Sequence, residues 1–545
     1  MQIKWIIGAV AVGVAQPALA QSAIDRVDPA LIERDRLPVL PKPAKDAPAV
    51  MRAAPQPSVN TASEIELGAI TLSGLAGLVP ADFADIFARY IGRSVSSAEL
   101  SRLAEEISAR ARGKGYVFAS ASIDPQRLTT GVLIVRYDPG VLDDIRIEGG
   151  DNAAVRDALA PLLGKPAQMR QVERRLLLAG DIDGVAIRRS QFVRDGSRGV
   201  LVVTIAQTAT RVRAVLDNDS SAPIGPEQLR LDASLNGVLA KDDVLAVTYV
   251  ATPFEPDELQ YIRGRYAKRV SRDGTEVSIG ASVSSSRPGD YLDALDIRGQ
   301  SWSANIGLLQ PLLRRRNGSL WFGANLDVRD SRQFRSGRLR RHDRIFAMRA
   351  SVYGNATAVG GTVRGNLTLS HGLDGLGATG AGDPLASRDD SDSDFTHVVG
   401  WGDWTRPVGD GFSLRLAAQG QLASGPLLIA EEIGLGGAAF LRGYDYSERS
   451  GDEGYMGSAE LRYDWRNPLG LGRKAQVYGF VDGGRVTNLA DGYGGGALTS
   501  GGGGIRADVS PSIDANVEVA VPLSGPRYET GTHEPRINLR VLKVF

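Results

Sequence analysis

From about Arg211 to the C terminus the sequence alternates between apolar and polar residues with a period of two, and this pattern constrains the fold most. In residues 459–465 the odd positions are apolar and the even positions are charged. Residues 513–519 and 537–541 repeat the alternation. A period of two is typical of a strand with two unlike faces. The last roughly 335 residues are therefore predicted to be β-strands.

The alternation favours a membrane barrel over a soluble β-sandwich. A sandwich strand also alternates, but here the aromatic residues Trp321, Trp465 and Phe545 stand near segment ends, as in the girdles of membrane barrels. At about 20 residues per strand and loop, residues 209–545 hold about 16 antiparallel strands. The charged tracts 329–344 and 388–394 are predicted to be long loops. The terminal Phe545 is typical of outer-membrane barrels.

The first twenty residues have the pattern of a cleaved export signal. Lys4 supplies the positive charge, residues 5–15 the apolar core, and Ala18-Leu19-Ala20 the small-residue cleavage site. An uncleaved anchor needs about 20 apolar residues, and this core is shorter. We therefore expect residues 1–20 to be a signal peptide and the mature chain to leave the cytoplasm.

Composition excludes several classes of function. The chain has no cysteine, which excludes disulfides, thiolate catalysis and Cys-ligated metals. Its 63 basic and 63 acidic residues balance, so no overall positive field favours nucleic acid as a partner. The four histidines are scattered without metal-ligand spacing, and no nucleophile elbow or phosphate-binding loop is present. We expect no catalytic residues, no metal site and no cofactor.

Two further segments precede the first folded unit. Residues 21–37 are predicted to form a short, highly charged helix, either inside a water-filled enclosure or as a frayed, solvated terminus. Residues 38–63 contain six prolines among Ala and Lys, which predicts an extended spacer and no folded element.

Residues 64–138 and 139–208 are predicted to be two copies of one small α+β unit with the order β-α-α-β-β. In the first copy, Ser96 and Glu99 are placed as a capping box at the start of the second helix. In the second copy, Asp151 is the predicted cap of the first helix. The runs Gly494–Gly496 and Gly501–Gly504 are predicted to be glycines of barrel turns or kinks.

Several motifs make the chain resemble the transporters of two-partner secretion, the TpsB family of haemolysin activators and filamentous-haemagglutinin exporters within the BamA-like superfamily. The two small units resemble polypeptide-transport-associated (POTRA) domains. Residues 441–444, Leu-Arg-Gly-Tyr, match the loop motif R-G-Y/F, and residues 479–484 match the strand motif G/F-x-x-D-x-G. The first unit carries the POTRA signature, whose residues here are Gly115, Tyr116, Pro125, Gln126, Gly131 and Leu133.

The resemblance implies that the loop carrying Arg442, Gly443 and Tyr444 folds back into the barrel. Strand alternation independently places Asp482 and Glu460 on the lumenal face, and Gly484 belongs to the same strand motif. Arg442 would then meet Asp482, because a planar guanidinium suits a bidentate contact with a carboxylate. This pair is either a latch that holds the loop during transport or a purely structural pair.

The resemblance also implies the transport function. The substrate would be one large, β-helical, TpsA-like exoprotein, captured unfolded in the periplasm by the POTRA domains and exported through the barrel without nucleotide hydrolysis. Open POTRA strand edges would bind it, unless the neighbouring unit covers them. The helix of residues 21–37 would plug the resting pore. Outer-membrane lipid and the barrel-assembly machinery that inserts the chain are the other expected partners.

Other functions fit the sequence less well. A general assembly factor of the same superfamily usually carries more POTRA domains than two. A passive porin would need neither POTRA domains nor the Arg-Gly-Tyr loop. An outer-membrane enzyme would need a catalytic constellation, and the sequence offers none.

Overall fold

The computed structural model describes residues 50–52, 65–126, 130–196, 198–468 and 473–545. The predicted signal peptide and charged helix, residues 1–37, lie outside the described residues. Within the predicted spacer, the described segment is a short strand, β1 (Val50–Arg52). Among the described residues, no helix is long and apolar enough to cross a membrane.

The first small domain packs two helices on one face of a three-stranded sheet with the order β3-β6-β5. Ser96 and Glu99 form the predicted capping box at the N terminus of its long helix, and Phe83, Leu103 and Leu133 are fully buried in its core. Its elements are β2 (Ile65–Glu66), β3 (Ala69–Ser73), a 3-10 helix (Pro80–Phe83), α1 (Ala84–Phe87), β4 (Ser94–Val95), α2 (Ser97–Gly113), β5 (Ser120–Ser122) and β6 (Val132–Asp138).

The second small domain repeats the architecture, but its sheet has four strands in the order β1-β8-β9-β7. Its helix α3 is capped by Asn152, whose Oδ1 accepts a bond from the Val155 amide at 3.1 Å. The cap predicted at Asp151 was wrong by one residue, because Asp151 instead pairs with Arg156. The elements are β7 (Asp144–Glu148), α3 (Ala153–Leu159), a 3-10 helix (Ala160–Leu162), α4 (Met169–Gly180), β8 (Val185–Asp195) and β9 (Arg198–Gln207).

Strand β1 comes from the predicted spacer, so part of that segment is folded after all. Residues Val50, Met51 and Arg52 pair in parallel with Ser190, Gln191 and Phe192 of β8. Pairing needs backbone groups more than particular side chains, so the proline-rich composition did not reveal it. The segment covers a sheet edge that would otherwise be open.

The rest of the chain forms a closed barrel of sixteen antiparallel strands, as predicted. The first strand closes the barrel by pairing with the last, from Arg213↔Val544 to Asp217↔Arg540. The barrel strands are β10 (Thr210–Asp217), β11 (Gln228–Asn236), β12 (Asp243–Ala251), β13 (Leu259–Arg269), β14 (Glu276–Ser286), β15 (Ile297–Arg315), β16 (Gly318–Arg335), β17 (Arg338–Ala358), β18 (Gly361–Gly372), β19 (Thr396–Gly409), β20 (Phe412–Ala423), β23 (Glu453–Arg466), β24 (Lys474–Thr487), β25 (Gly496–Ser510), β26 (Ile513–Pro522) and β27 (Arg536–Val544).

The two faces of the barrel wall differ as the alternation predicts. Leu461, Val481 and Val519 are exposed on the outer face. Their chain neighbours Glu460 and Glu518 point inward and are buried in the lumen. The wall therefore presents apolar side chains to lipid and charged side chains to the interior.

The charged tract 329–344 is not a long loop. It forms the ends of β16 and β17, which are joined by a tight turn at Ser336 and Gly337. Both turn residues have positive φ, +49° and +72°, as the hairpin turns that match strand twist require. Charged residues remain in strands here because they pair across the hairpin. The second tract, 388–394, does lie in a long loop, residues 373–395 between β18 and β19.

Candidate functional site

The long connection between β20 and β23, residues 424–452, turns into the barrel lumen, and we call it the inward loop. It contains a short hairpin of β21 (Ile433–Leu435) and β22 (Arg449–Gly451). Its apolar residues Phe440, Leu441 and Tyr444 are buried in one cluster with wall residues of β19, β20, β23, β24 and β25. The loop is thus packed against one side of the wall.

At the tip of the inward loop, Arg442 meets three lumenal carboxylates. Its Nε and Nη2 donate to the two oxygens of Asp482, each at 3.0 Å. Its backbone amide also donates to Asp482, at 3.2 Å. Nη1 donates to Glu460 at 2.8 Å and to Glu518 at 3.2 Å. We call these four side chains the tip cluster.

Two further arginines complete the charge balance of the tip cluster. Arg462 donates to Glu460 at 2.6 Å and Arg506 donates to it at 2.8 Å. Three cations therefore stand among three carboxylates. A buried charge of one sign is costly unless it is paired and hydrogen-bonded. The balance explains how so many charges can be kept in the lumen next to apolar side chains.

Aromatic rings fix the direction of two of these arginines. The guanidinium carbon of Arg442 lies 3.3 Å from the ring centroid of Phe480, and that of Arg506 lies 3.7 Å from the ring of Tyr478. On the next strand, a Cβ at Gly502 would lie 2.9 Å from the Phe480 ring and 2.1 Å from the Val519 carbonyl oxygen. The run Gly501–Gly504 lies in the middle of β25, so its glycines are not turn residues. Gly502 makes room for the Phe480 ring and Gly504 for the Tyr478 ring.

Gly443 serves close packing and not a left-handed turn. The left-handed residue at the tip is Leu441, with φ +56°. A Cβ at Gly443 would lie 2.9 Å from the carbonyl carbon of Val521 and 3.0 Å from the Pro522 nitrogen. A glycine is required at this position because the tip of the loop packs directly against β26. Next to it, Tyr444 is fully buried and donates its hydroxyl to the Gly525 carbonyl at 2.9 Å.

A second set of ion pairs holds the base of the inward loop, and the sequence did not reveal it. Glu431 binds Arg349 of β17 at 2.7 Å and His397 of β19 at 2.9 Å. Glu432 binds Arg388 at 3.0 Å. Arg349 and His397 occupy lumenal strand positions, but alternation does not tell which loop residue meets them. The inward loop is thus attached to the barrel at both its tip and its base.

Gly484 lies where the inward loop packs against the wall, and Phe545 lies where the first and last strands close the barrel. A Cβ at Gly484 would lie 2.9 Å from Leu435 of the inward loop, so this glycine admits the loop to the wall. The amide of Phe545 donates to the Val212 carbonyl at 3.0 Å, which extends the closing pair of strands. The Phe545 ring itself is exposed.

The POTRA signature residues stabilise the first domain and its junction with the second. Tyr116 donates its hydroxyl to the Gly77 carbonyl at 2.7 Å and accepts a bond from Gln168 at 3.1 Å. Gly115, at φ +98°, accepts a bond from the Met169 amide of the second domain at 2.9 Å. Two roles of the motif, a turn and a domain contact, thus coincide at Gly115-Tyr116.

The remaining signature residues shape the sheet of the first domain. The side-chain amide of Gln126 donates to the Ile134 carbonyl at 2.7 Å and accepts from its amide at 2.9 Å, in the manner of a strand neighbour. Pro125 precedes it and is exposed. Gly131 has φ +68° at the start of β6, and Leu133 is fully buried in the core.

The second small domain is fixed to the rim of the barrel through α4 and the residues after it. Asp181 accepts two bonds from Arg314 of β15, at 2.7 and 2.5 Å, and Arg314 is stacked 4.8 Å from the Trp321 ring. Burial of the Asp181 carboxyl raises its pKa, an effect that Arg314 opposes. Arg175 pairs with Asp273 in the turn between β13 and β14. This end of the barrel therefore carries the POTRA-like domains.

Among the described residues, no group of three or more His, Asp or Glu side chains is placed to hold a metal ion. The charged groups of the lumen are engaged with one another, and their arrangement can hold a loop in place.

Two protein-family profiles match the chain. The profile described as haemolysin secretion/activation protein ShlB/FhaC/HecB matches residues 196–507, more than half of the chain. The profile of the ShlB-type POTRA domain matches residues 65–140, which is the first small domain.

Named relatives are similar over most of the chain. The outer membrane transporter CdiB of Escherichia coli O6:K15:H31 is 22% identical over 550 residues, covering 95% of this chain and 90% of the relative. The heme/hemopexin transporter protein HuxB of Haemophilus influenzae (strain 86-028NP) is 22% identical over 405 residues, covering 71% and 70%.

Solved structures have the same fold. CdiB from Escherichia coli superposes with a TM-score of 0.72 at 20% identity, covering 98% of this chain and 100% of that one. BamA from Haemophilus ducreyi lacking POTRA domains 1–3 superposes with a TM-score of 0.54 at 13% identity, covering 89% and 100%. At these identities the similarity establishes the fold alone.

Proposed function

The chain belongs to the ShlB/FhaC/HecB family of haemolysin secretion/activation proteins, and we propose that it exports one dedicated exoprotein by two-partner secretion. Its family and its relatives make it an outer-membrane transporter. The proposal adds the cargo: a large β-helical polypeptide, taken up unfolded in the periplasm and passed through the lumen of this barrel. The single observation that carries it is an inward loop fixed to one side of a polar lumen.

The lumen wall away from the inward loop supports passage of a polypeptide. It borders a cavity of about 490 Å³ whose lining includes Thr248, Arg263, Arg265, Asn305 and Asn325. Such side chains offer donors and acceptors to an extended backbone without requiring one sequence. The inward loop stays on the opposite wall, because its tip and base are both bound there. A chain in transit would therefore move along β12–β16.

The POTRA domains offer strand edges for capture in the periplasm. In the first domain, β3 and β5 are the edges of the sheet, and in the second domain β7 is an edge. An extended segment of the cargo can join such an edge through main-chain hydrogen bonds. The edge at β8 is covered by β1 of the same chain. Capture at β3, β5 or β7 is the arrangement that we propose.

The roles of the tip cluster and of residues 21–37 are part of the proposal. Arg442 acts as a latch that keeps the inward loop against the wall while cargo passes. The latch is supported by its contacts with β23, β24 and β26, which join the loop to three strands at once. The predicted helix of residues 21–37 plugs the resting pore and leaves when cargo arrives. Folding of the cargo outside the cell, without nucleotide hydrolysis, drives transport.

The route can be tested by photo-crosslinking from adjacent residues of β15. A photoreactive amino acid at Asn305 faces the lumenal cavity, whereas one at Ile306 faces lipid, where this side chain is 59% exposed. Illumination of exporting cells should give high-mass adducts at position 305, and mass spectrometry of these adducts should identify one secreted protein.

Position 306 is the matched control, because it differs by one residue and by the face of the strand. Adducts of equal yield at both positions, or at position 306 alone, would contradict passage through the lumen. Adducts at position 305 with many different barrel proteins would indicate an assembly factor instead.

A further inference from the structure

The hairpin of β16 and β17 carries a cationic patch on its outer face. Closer to the periplasmic end of the hairpin, the same face contacts lipid. Asp327 and Arg349 pair with each other, and Arg349 also pairs with Glu431 of the inward loop. These two side chains therefore face the lumen. The neighbouring positions Leu326 and Met348 pair across the hairpin and are 41% and 53% exposed on the opposite face. That face is the lipid-facing surface.

Four residues beyond this lipid-facing pair, the same face changes from apolar to charged. Asp330 pairs with Arg344 across the hairpin, and Arg332 pairs with His342. The Asp330 carboxylate accepts from Arg332 at 3.1 Å, from His342 at 2.9 Å and from Arg344 at 2.6 Å. One carboxylate thus orients two guanidinium groups and one imidazole. We call these four residues the outer-face cluster.

The outer-face cluster has positive charge left over and exposed. The Asp330 side chain is only 2% exposed, whereas those of Arg332, His342 and Arg344 are 44%, 29% and 28% exposed. Arg344 also donates to the Leu376 carbonyl at 3.2 Å, which holds it in place. Even with a neutral imidazole, two guanidinium charges face one carboxylate. The Asp330 carboxylate is buried and already paired within the cluster. An approaching anion would therefore meet the exposed guanidinium groups.

The cluster lies at the extracellular boundary of the membrane. The turn between β15 and β16 is beside Asp181 and Glu173 of the second POTRA-like domain, so the other end of the hairpin faces away from the periplasm. Trp302 of β15 is the direct strand partner of Asp330 and is 40% exposed on the same face. A tryptophan at such a position is typical of the interface between acyl chains and headgroups. Exposed Arg335, Arg338 and Arg340 continue the positive charge above it.

We propose that the outer-face cluster binds the phosphorylated headgroup of an outer-leaflet glycolipid, as found in lipid A. The cluster lies at the level of the lipid headgroups, and guanidinium groups form strong charge-assisted bonds with phosphate oxygens. The lipid-facing residues directly below, Leu326 and Met348, would contact the acyl chains of the same molecule. A cargo polypeptide in the lumen is separated from this face by the barrel wall. The bound lipid would anchor the longest hairpin of the barrel in the outer leaflet.

The test uses the purified full-length protein in detergent, titrated with bisphosphorylated lipid A and followed by native mass spectrometry. The double variant Arg332→Gln/Arg344→Gln should bind the lipid about tenfold more weakly than the wild type, because charge-assisted hydrogen bonds are lost. Arg332→Gln alone, which leaves the bond to Leu376 intact, should weaken binding several-fold. Dephosphorylated lipid A should bind the wild type as weakly as bisphosphorylated lipid A binds the double variant.

The matched control is Arg406→Gln/Arg466→Gln, which removes the same charge from exposed arginines at the end of the barrel near the POTRA-like domains. It should bind lipid A within twofold of the wild type, and heat-modifiable migration should show all variants folded. Unchanged binding by the double variant would overturn the proposal. So would equal binding of dephosphorylated lipid A, or displacement of the lipid by equimolar inorganic phosphate.

Discussion

At the scale of single residues, the central feature is Arg442 among three carboxylates. A lysine in its place would keep the charge balance of the tip cluster but could not make the bidentate contact with Asp482. Removing the side chain altogether would leave Asp482, Glu460 and Glu518 with one cation fewer. The two changes therefore separate geometry from charge, which distinguishes a latch from a purely structural pair.

For Arg442→Lys we expect near-normal amounts of folded barrel but export per folded barrel reduced by roughly tenfold, since a bidentate charge-assisted contact is lost. For Arg442→Ala we expect the barrel itself to lose about 3–5 kcal/mol, as when one partner of a buried ion pair is removed. Folded barrel is measured by heat-modifiable migration and urea unfolding, and export by quantifying the cargo in the medium.

If Arg442→Lys lowers export only in proportion to the amount of folded barrel, the residue is structural and the latch is refuted. The conservative variant Arg462→Lys is a suitable control, because Arg462 contacts Glu460 but not the inward loop.

A second residue-scale prediction concerns the glycine under the Phe480 ring. Gly502→Ala places a methyl group against Phe480 and the Val519 carbonyl, and we expect about 1–3 kcal/mol of destabilisation from overpacking. The displaced ring would also move Arg442 from its position. Gly501→Ala is the control, since its Cβ would meet only Leu523 and the Phe480 carbonyl at 3.3 and 3.4 Å. Equal unfolding midpoints in urea for the two variants would refute this role of Gly502.

Residue-level prediction from the sequence was possible where two motifs marked the partners. The motifs and strand alternation together pointed to Arg442, Asp482 and Glu460 in the lumen. Glu518 and Arg506 also occupy alternating lumenal positions, but only the barrel closure brings β25 and β26 beside the loop. Glu431 and Arg349 carry no motif, and their contact depends on the path of a long loop, which local sequence does not determine.

At the scale of elements, the short strand β1 covers one sheet edge of the second POTRA domain. Proline spacing predicted an extended segment, and extended backbone is also what an open edge such as β8 can bind. The edge at β8 is thus occupied by a strand of the same chain. An extended segment of cargo could take the place of β1 with the same backbone geometry.

Met51→Pro/Arg52→Pro removes backbone donors from β1, and we expect β8 to lose its neighbour. Amide hydrogen exchange should then become faster across Ser190–Phe192, while exchange in β9 stays slow. The control Met51→Ala/Arg52→Ala retains both amides and should leave exchange as in the wild type. Unchanged exchange in the proline variant would show that β1 does not protect this edge.

The junction between α4 and the barrel rim is the second element-scale feature. Arg314 is nearly fully buried and bonds both oxygens of Asp181, so Arg314→Gln leaves a partly buried carboxylate without its cation. We expect the second POTRA domain to become mobile relative to the barrel, seen as faster hydrogen exchange in α4 and easier proteolysis near residue 208. Arg175→Gln breaks the more exposed pair with Asp273 at the same rim and should have little effect. Comparable mobility in both variants would contradict a special role for Arg314.

At the scale of the whole molecule, architecture was more predictable than boundaries within it. Alternation over some hundreds of residues sums many weak signals, and it correctly predicted a sixteen-stranded barrel. The hairpin at 329–344 was mistaken for a loop because charge density outweighed a two-residue turn signal at Ser336-Gly337. Its charges are compatible with a strand because they extend beyond the lipid and pair with one another.

The arrangement of domains, loop and lumen wall is compatible with the proposed transporter for one cargo. The second POTRA-like domain is fixed to the rim and contacts the first, one loop is bound along one wall of the lumen, and the remaining wall is polar. In the proposed function, these features would provide capture sites, a stable loop and a route in a single chain.

The most direct test of this account is to delete the gene and compare the secreted and outer-membrane proteomes by mass spectrometry, with a complemented strain as the reference. The account predicts that one large exoprotein disappears from the medium and the cell surface, while other outer-membrane barrels keep their levels. A joint decrease of many barrels, with no single exoprotein lost, would identify an assembly factor and contradict dedicated export.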